Sequence, residues 1–438
     1  MSIVLQASTP EMDRIFSDEN EVQAWLDVEG ALARAQARLG VIPTLAAEEI
    51  SAKAHVEHLD LEALRAEIAG TVHPIVPVVR ALSAACSDGH GEYVHWGATS
   101  QDILDTGLVL RLRQADEILV EDLGILVEAF RGRAIEHRDT VMAGRTHGQQ
   151  AVPITLGYKL AVWVDELARH RQALLALRRE VRTGQFGCAA GTMSSLGPIG
   201  LDIRRELMGE LDLEEPAITW HVARDRLVRY AFQLTLIASS LHRFGCELVT
   251  LQRDELGEVF EPFHAGKVGS STMPHKRNPA LSETLMTLGE LTKNDLRGGL
   301  SSLGSLHERD TGIRGVENDY LPRITRRTHR MIRLATSVVE GLEVDRERMH
   351  AHLEASQGRL YSENVMMALA GRVGRQRAHE VVYDVAMGAF ESGEDLRTAL
   401  GADPRIREEF SDEDLDALFD VGQLTTTAGL MVDHVCGS

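Results

Sequence analysis

Apolar residues recur every three or four positions over long stretches of this chain, the mark of helices with one buried face. From Asp18, the residues Trp25, Val28, Leu32, Ala35 and Leu39 form a first stripe, which Gly40 and Pro43 end. Shorter helical patterns follow, and then three long stripes dominate the centre. Leu108, Leu112, Ala115, Leu119, Leu123, Leu126 and Phe130 make one, and Leu156, Leu160, Trp163, Leu167, Leu174 and Leu177 a second. Leu227, Tyr230, Leu234, Ile237, Leu241, Phe244, Leu248 and Leu251 make the third, at successive seam positions of a heptad pattern. A further helix is expected from Leu281 to about Leu296, and another, with Ile332, Leu334 and Val338, to about Val344. Strand-like alternation is almost absent. The pattern predicts an all-α protein built around a bundle of long helices. Helices of this length exceed what one globular core needs, so they are expected to pack against other subunits as well. The breaks divide the chain into an N-terminal helical domain at 1–107, a central long-helix domain at 108–355 and a small helical domain at 356–438. In the last of these Gly371, Gly374, Gly393, Gly401 and Pro404 keep the helices short.

Four polar islands interrupt the helical pattern. The first surrounds His73, between Gly70 and Pro77; the second runs from His95 through Thr99, Ser100 and Asp102 to Thr106; the third is Gly144-Arg145-Thr146-His147-Gly148-Gln149-Gln150. The fourth, Gly269-Ser270-Ser271-Thr272-Met273-Pro274-His275-Lys276-Arg277-Asn278-Pro279, is too polar and too constrained to be core. A surface turn capping the next helix would account for its Ser, Gly and Pro. It would not account for Lys276 and Asn278 in the same short loop, which are what an anion site needs. Glycines at 266 and 269 let this loop flex, and Pro274 and Pro279 limit its conformations, so it is read as a catalytic loop that can close. Single residues of the other islands carry less. A lone histidine such as His73 or His95 is more often a hydrogen-bonded structural residue than a catalyst, and Thr99, Ser100 and Asp102 also suit a helix cap.

Composition narrows the partners. The formal net charge of −20 disfavours nucleic acid and anionic membranes, so an anionic substrate must be attracted locally, for instance by Lys267, Lys276 and Arg277. No stretch reads as a signal peptide or as a membrane span, which places the protein in the cytoplasm as an expectation. Cys86, Cys188, Cys246 and Cys436 are scattered without Cys-x-x-Cys spacing, so neither a disulfide framework nor a zinc site is indicated.

Taken together the islands resemble the fumarase/aspartase superfamily, in its adenylosuccinate lyase and 3-carboxy-cis,cis-muconate cycloisomerase branch. The fourth island matches the signature Gly-Ser-Ser-x-Met-Pro-x-Lys-x-Asn at every fixed position, and the Thr-Ser-x-Asp and Gly-Arg-Thr-His segments match two further motifs in the right order. The resemblance implies a homotetramer with a central helical bundle, in which three motifs from three subunits meet at each active site. It implies removal of a proton beside a carboxylate and expulsion of a group from the neighbouring carbon, usually leaving fumarate. By position, Ser270 is the base, with Ser271 the alternative. His147 is the acid or its electrostatic partner. Lys276 and Asn278 stabilise the doubly charged carbanion, and Thr99, Ser100 and Thr146 bind carboxylates. Gln149, Met273 and Arg309 join the substrate-binding set, with His73 and His95 near the leaving group. The substrate is a small anionic dicarboxylate whose own carboxylate is the electron sink, so no metal or organic cofactor is implied.

Subfamily features conflict. Ser8-Thr9-Pro10-Glu11-Met12 and Phe186-Gly187-Cys188-Ala189-Ala190-Gly191-Thr192 look most like carboxymuconate cycloisomerase, whereas His147 and His307-Glu308-Arg309-Asp310 look more like adenylosuccinate lyase. The Arg-Tyr pair that adenylosuccinate lyases carry before Glu11-Met12 is absent, and Pro74 stands where Asp would follow His73. The expectation is a lyase that cleaves an N-substituted aspartate or similar substituted succinate and releases fumarate. Lactonising cycloisomerisation of carboxymuconate is the alternative. A non-catalytic, crystallin-like paralogue is disfavoured, because it would not need to keep Ser270, His147, Lys276 and Asn278 together.

Overall fold

The computed structural model describes residues 6–263, 273, 275–310, 312 and 315–437. Helix dominates these residues. In order they form α1 (Pro10–Ile15), α2 (Asp18–Arg38), α3 (Thr44–Lys53), α4 (Leu61–Thr71), α5 (Ile75–Ala85), α6 (Ser100–Glu136), α7 (Leu156–Val181), α8 (Ile199–Glu210), α9 (Asp225–Leu251) and α10 (Ala280–Ser302). The Glu317–Glu340 helix and a set of shorter helices, ending with Val421–Cys436, complete the chain. No described helix is long and apolar enough to cross a membrane.

Contacts divide the chain into two units, Met1–Leu123 with His170–His242 and Thr287–Arg333, and Gly124–Arg169 with Arg243–Met286 and Leu334–Ser438. In the first unit, α2 buries Trp25, Val28, Leu32 and Ala35 in one core with Ile50, Leu64, Leu82, Ile103 and Phe186. Each such large side chain contributes about 1.5–3 kcal/mol on removal from water. The Ser17 hydroxyl caps α2 by accepting from the Asn20 N–H at 3.2 Å, which explains why the helix begins at Asp18. Leu39 falls just beyond the last turn and is only half-buried.

In the second unit, three predicted stripes meet. The Phe244 ring of α9 lies edge-on to Phe130 of α6 and Trp163 of α7, with centroids 4.9 and 5.5 Å away. All eight seam residues of α9 are buried, as are those of α6; on α7 Leu177 alone is half-buried. A second cluster around Val365, Leu369, Val382, Leu396, Leu400 and Leu415 gives the C-terminal helices their own core.

Three expectations about local structure change. The helix after Pro279 continues to Ser302, past Leu296. The helix expected to reach Val344 ends at Glu340, because Glu343–Val344 pairs antiparallel with Val259–Phe260. The polar island at 144–150 is the tip of a hairpin, in which β1 (Val141–Thr146) pairs antiparallel with β2 (Gln149–Thr155). Its polar, Gly-containing tip hid the strands from a search for alternating apolar residues.

Candidate active site

In the first unit, α6 begins at a cavity of about 810 Å³ whose wall includes His73, Thr99, Ser100 and Arg309 beside the apolar Trp25 and Leu64. The sequence-predicted residues His73, Thr99, Ser100 and Arg309 are thus brought together across more than 200 residues of chain. Arg309 Nη1 donates to Thr99 Oγ1 at 2.7 Å, and His73 Nε2 lies 3.4 Å from Ser100 Oγ. The Val76 N–H donates to His73 Nδ1 at 3.4 Å, so a neutral His73 carries its proton on Nε2 and donates it to Ser100. Both hydroxyls therefore accept from a nitrogen donor and keep their own protons for an anion in the cavity.

Behind this surface lies a buried polar array that the sequence reading did not assign to the site. Asp102, in the first turn of α6, is 1% exposed and accepts from the N–H groups of Thr99, Gly187 and Cys188 at 2.9–3.0 Å and from His221 Nε2 at 2.8 Å. Arg224 is fully buried between two carboxylates. It donates twice to Asp105 at 2.9 Å and through Nε to Glu317 at 2.8 Å. Burial opposes the Arg224 charge, but Asp105 and Glu317 outweigh it and hold the guanidinium firmly protonated. The available signal was the charged run His221-Val222-Ala223-Arg224-Asp225, placed immediately before the most regular apolar seam.

His95 stands apart from His73. Its backbone is left-handed, at φ 62°, and its Nδ1 lies 2.6 Å from Oε1 of Glu29, which is buried on the core face of α2. Burial would lower the His95 pKa, yet the charge and hydrogen bond of Glu29 prevail and raise it above the ordinary 6.5.

In the second unit, His147 and Gly148 form the two-residue turn of the β1–β2 hairpin, both with positive φ, 52° and 76°. That is the backbone of a tight hairpin turn matched to strand twist, and glycine meets its demand at 148 without strain. Thr146 pairs with Gln149 across the tip, and residues 146–150 are all exposed. The tip is anchored at its base. Arg145 donates to both oxygens of Glu258 at 2.8 and 2.6 Å, and Glu258, 0% exposed, also takes Nδ1 of His352 at 2.6 Å.

Ser270 and Ser271 lie outside the described residues. Met273 and Lys276 are exposed and Asn278 is half-buried. The Lys276 N–H donates to the Met273 carbonyl at 3.0 Å, which closes a turn. Arg277 was expected to help reverse the local charge. Its guanidinium is instead engaged by Glu343 at 2.8 Å and packs over Phe260 and Phe263, with ring centroids 5.4 and 4.8 Å away. Buried Glu261 accepts the Leu281 and Ser282 N–H groups at 3.2 and 2.9 Å and so fixes the start of α10, immediately after Asn278 and Pro279. Among the described residues no group of three His, Cys, Asp or Glu side chains is placed to hold a metal ion.

Residues 5–290 match the family described as Lyase, and residues 358–435 match the adenylosuccinate lyase C-terminus. The chain is 38% identical to the N-acetyl-S-(2-succino)cysteine lyase of Dickeya dadantii, over 98% of this chain and 94% of that protein. It is 42% identical to the 3-carboxy-cis,cis-muconate cycloisomerase of Pseudomonas aeruginosa, over 93% and 90% of the two. The crystal structure of the 3-carboxy-cis,cis-muconate lactonizing enzyme from Pseudomonas putida superposes with a TM-score of 0.91 at 40% identity, covering 98% of this chain and 97% of that one. With motifs, helical architecture and full-length likeness in agreement, the chain belongs to the fumarase/aspartase superfamily, as an enzyme of its adenylosuccinate lyase and carboxymuconate cycloisomerase branch.

Proposed function

We propose that this enzyme performs an anti β-elimination on a substituted succinate and releases fumarate. The observation that carries the reading is the grouping of Thr99, Ser100, His73 and Arg309 on one cavity wall, where two hydroxyls keep their protons beside a guanidinium. That set suits a carboxylate, and the cavity exceeds what a four-carbon diacid fills, leaving room for a substituent. An N-substituted aspartate and a 2-succino thioether present the same reacting half, so nitrogen and sulfur leaving groups both fall within the reading. The likeness to the Dickeya dadantii enzyme supports the second of these.

In this reading Ser270 removes the proton beside the carboxylate. Lys276 and Asn278 stabilise the resulting carbanion, Thr99, Ser100, Thr146 and Arg309 hold carboxylates, and His147 protonates the leaving atom. The hairpin tip that carries Thr146, His147 and Gln149 is exposed, as it would be if another copy of the chain completed each site in a homotetramer. The reaction needs neither metal nor organic cofactor, since the substrate carboxylate accepts the charge.

A second reading, lactonising cycloisomerisation of carboxymuconate, is favoured by the 42% identity to the Pseudomonas aeruginosa enzyme. An ultraviolet assay separates the two. Fumarate is offered with N-acetylcysteine, AMP, ammonia, arginine or aspartate, and carboxymuconate is offered separately. Consumption of fumarate with one partner is expected and identifies the leaving group; turnover of carboxymuconate without fumarate chemistry would overturn the elimination reading. Ser270→Ala is expected to abolish turnover and leave the oligomer intact. Retained activity, with Ser271→Ala inactive, would move the base by one residue.

A further inference from the structure

Asp102 does more than cap a helix. A capping acid in the first helical turn needs one hydrogen bond, back to the N–H of the cap residue, and Asp102 makes that bond to Thr99 at 3.0 Å. Its two oxygens accept three more. Oδ1 takes the Gly187 N–H at 2.9 Å and His221 Nε2 at 2.8 Å, and Oδ2 also takes the Cys188 N–H at 3.0 Å. Four donors fill the acceptor sites of a carboxylate that is almost wholly removed from water, which is the condition for burying its charge.

The partners are shaped for this. Cys188 holds a left-handed backbone, at φ 60°, so that two successive N–H groups converge on one anion. A Cβ on Gly187 would stand 2.5 Å from Thr219 Cγ2, so only glycine fits there. His221 is buried, and its Nδ1 has no hydrogen-bond partner among the described residues, so the proton of a neutral ring sits on Nε2, facing Asp102. Three distant segments thus meet at the residue that sets where α6 begins. The first two residues of that start, Thr99 and Ser100, present their hydroxyls to the cavity.

We propose that Asp102 and His221 form a positioning pair that holds Thr99 and Ser100 in the geometry required to bind a substrate carboxylate. The inference rests on the fumarate-releasing reading above. Neither residue touches substrate. Both act through the register and rigidity of the 99–102 turn, where small displacements are costly to a binding constellation.

The test uses the full chain, fumarate as the probe, and titration calorimetry beside amide hydrogen exchange. Asp102→Asn places an N–H group where a backbone N–H needs an acceptor, and His221→Ala removes one donor. Both variants are expected to weaken fumarate binding by about tenfold or more, with helix content and oligomer mass unchanged and faster exchange at the Thr99, Gly187 and Cys188 amides. His221→Gln, whose carboxamide N–H can reach the same oxygen, is expected to recover part of the affinity. If Asp102→Asn does not fold, the two His221 variants decide. Unchanged fumarate affinity despite faster exchange at the turn would overturn the proposal and leave Asp102 a structural cap. Failure of the wild-type chain to bind fumarate would overturn the fumarate reading and the proposal with it, and is seen before any substitution is made.

Discussion

The two units support their candidate residues in opposite ways. The first presents Thr99, Ser100, His73 and Arg309 on a concave wall and buries a large polar array behind it. Asp102 is satisfied there by three backbone N–H groups and His221, and Asp105 and Glu317 share the guanidinium of Arg224. The second presents Thr146, His147 and Gln149 on an exposed tip and needs one anchor at its base, Glu258 between Arg145 and His352. A concave site forces the polar groups behind it into the interior, where each must be matched. A protruding site leaves its own groups in water and needs only a stiff stem.

Substitutions can break this contrast, beginning where the buried charge is greatest. Arg224→Met would remove the cation that Asp105 and Glu317 share, and is expected to cost about 3–5 kcal/mol in denaturant unfolding. Glu258→Gln is milder, because Arg145 lies nearer to water. It is expected to cost about 1.5–3 kcal/mol and to speed amide exchange at the hairpin tip, while exchange at Thr99 and Cys188 stays as it was. Equal acceleration at both places would show that the two supports are not separate. Gly148→Ala places a Cβ at a φ of 76°, and is expected to lower stability by about 1 kcal/mol.

The smallest expected effect is a dependence on pH. His329 is buried, with Nε2 2.7 Å from Asp122 and Nδ1 2.8 Å from Thr9 Oγ1. Burial lowers its pKa below the ordinary 6.5, against the opposing pull of Asp122. The unfolded chain then binds more protons than the folded one just below pH 6.5, so the contribution is complete above that value and is lost as pH falls through the folded pKa. His329→Gln is expected to flatten this part of the stability profile between pH 7.5 and 5, as read by thermal unfolding. An unchanged slope would assign the acid sensitivity elsewhere.

Much of the candidate site was legible because its motifs are contiguous. Thr99 and Ser100, the 144–150 segment and the 269–279 loop each stand out as polar runs between apolar stripes. The same local reading missed the hairpin, since tip residues that point into water have no apolar alternation to reveal strands. It also took Asp102 for a possible helix cap, which it is, without the three further bonds that bury it.

The sequence by itself determined where the long helices run and which faces they bury, because a spacing of three to four residues depends on near neighbours along the chain. It also determined the chemistry to look for, through residue types held together in short segments. Tertiary structure alone decided which charges are buried and who satisfies them. His221 and Asp102 are 119 positions apart, and Glu258 and Arg145 are 113. A carboxylate accepts from whatever donor the fold brings near it, and no local spacing encodes that choice.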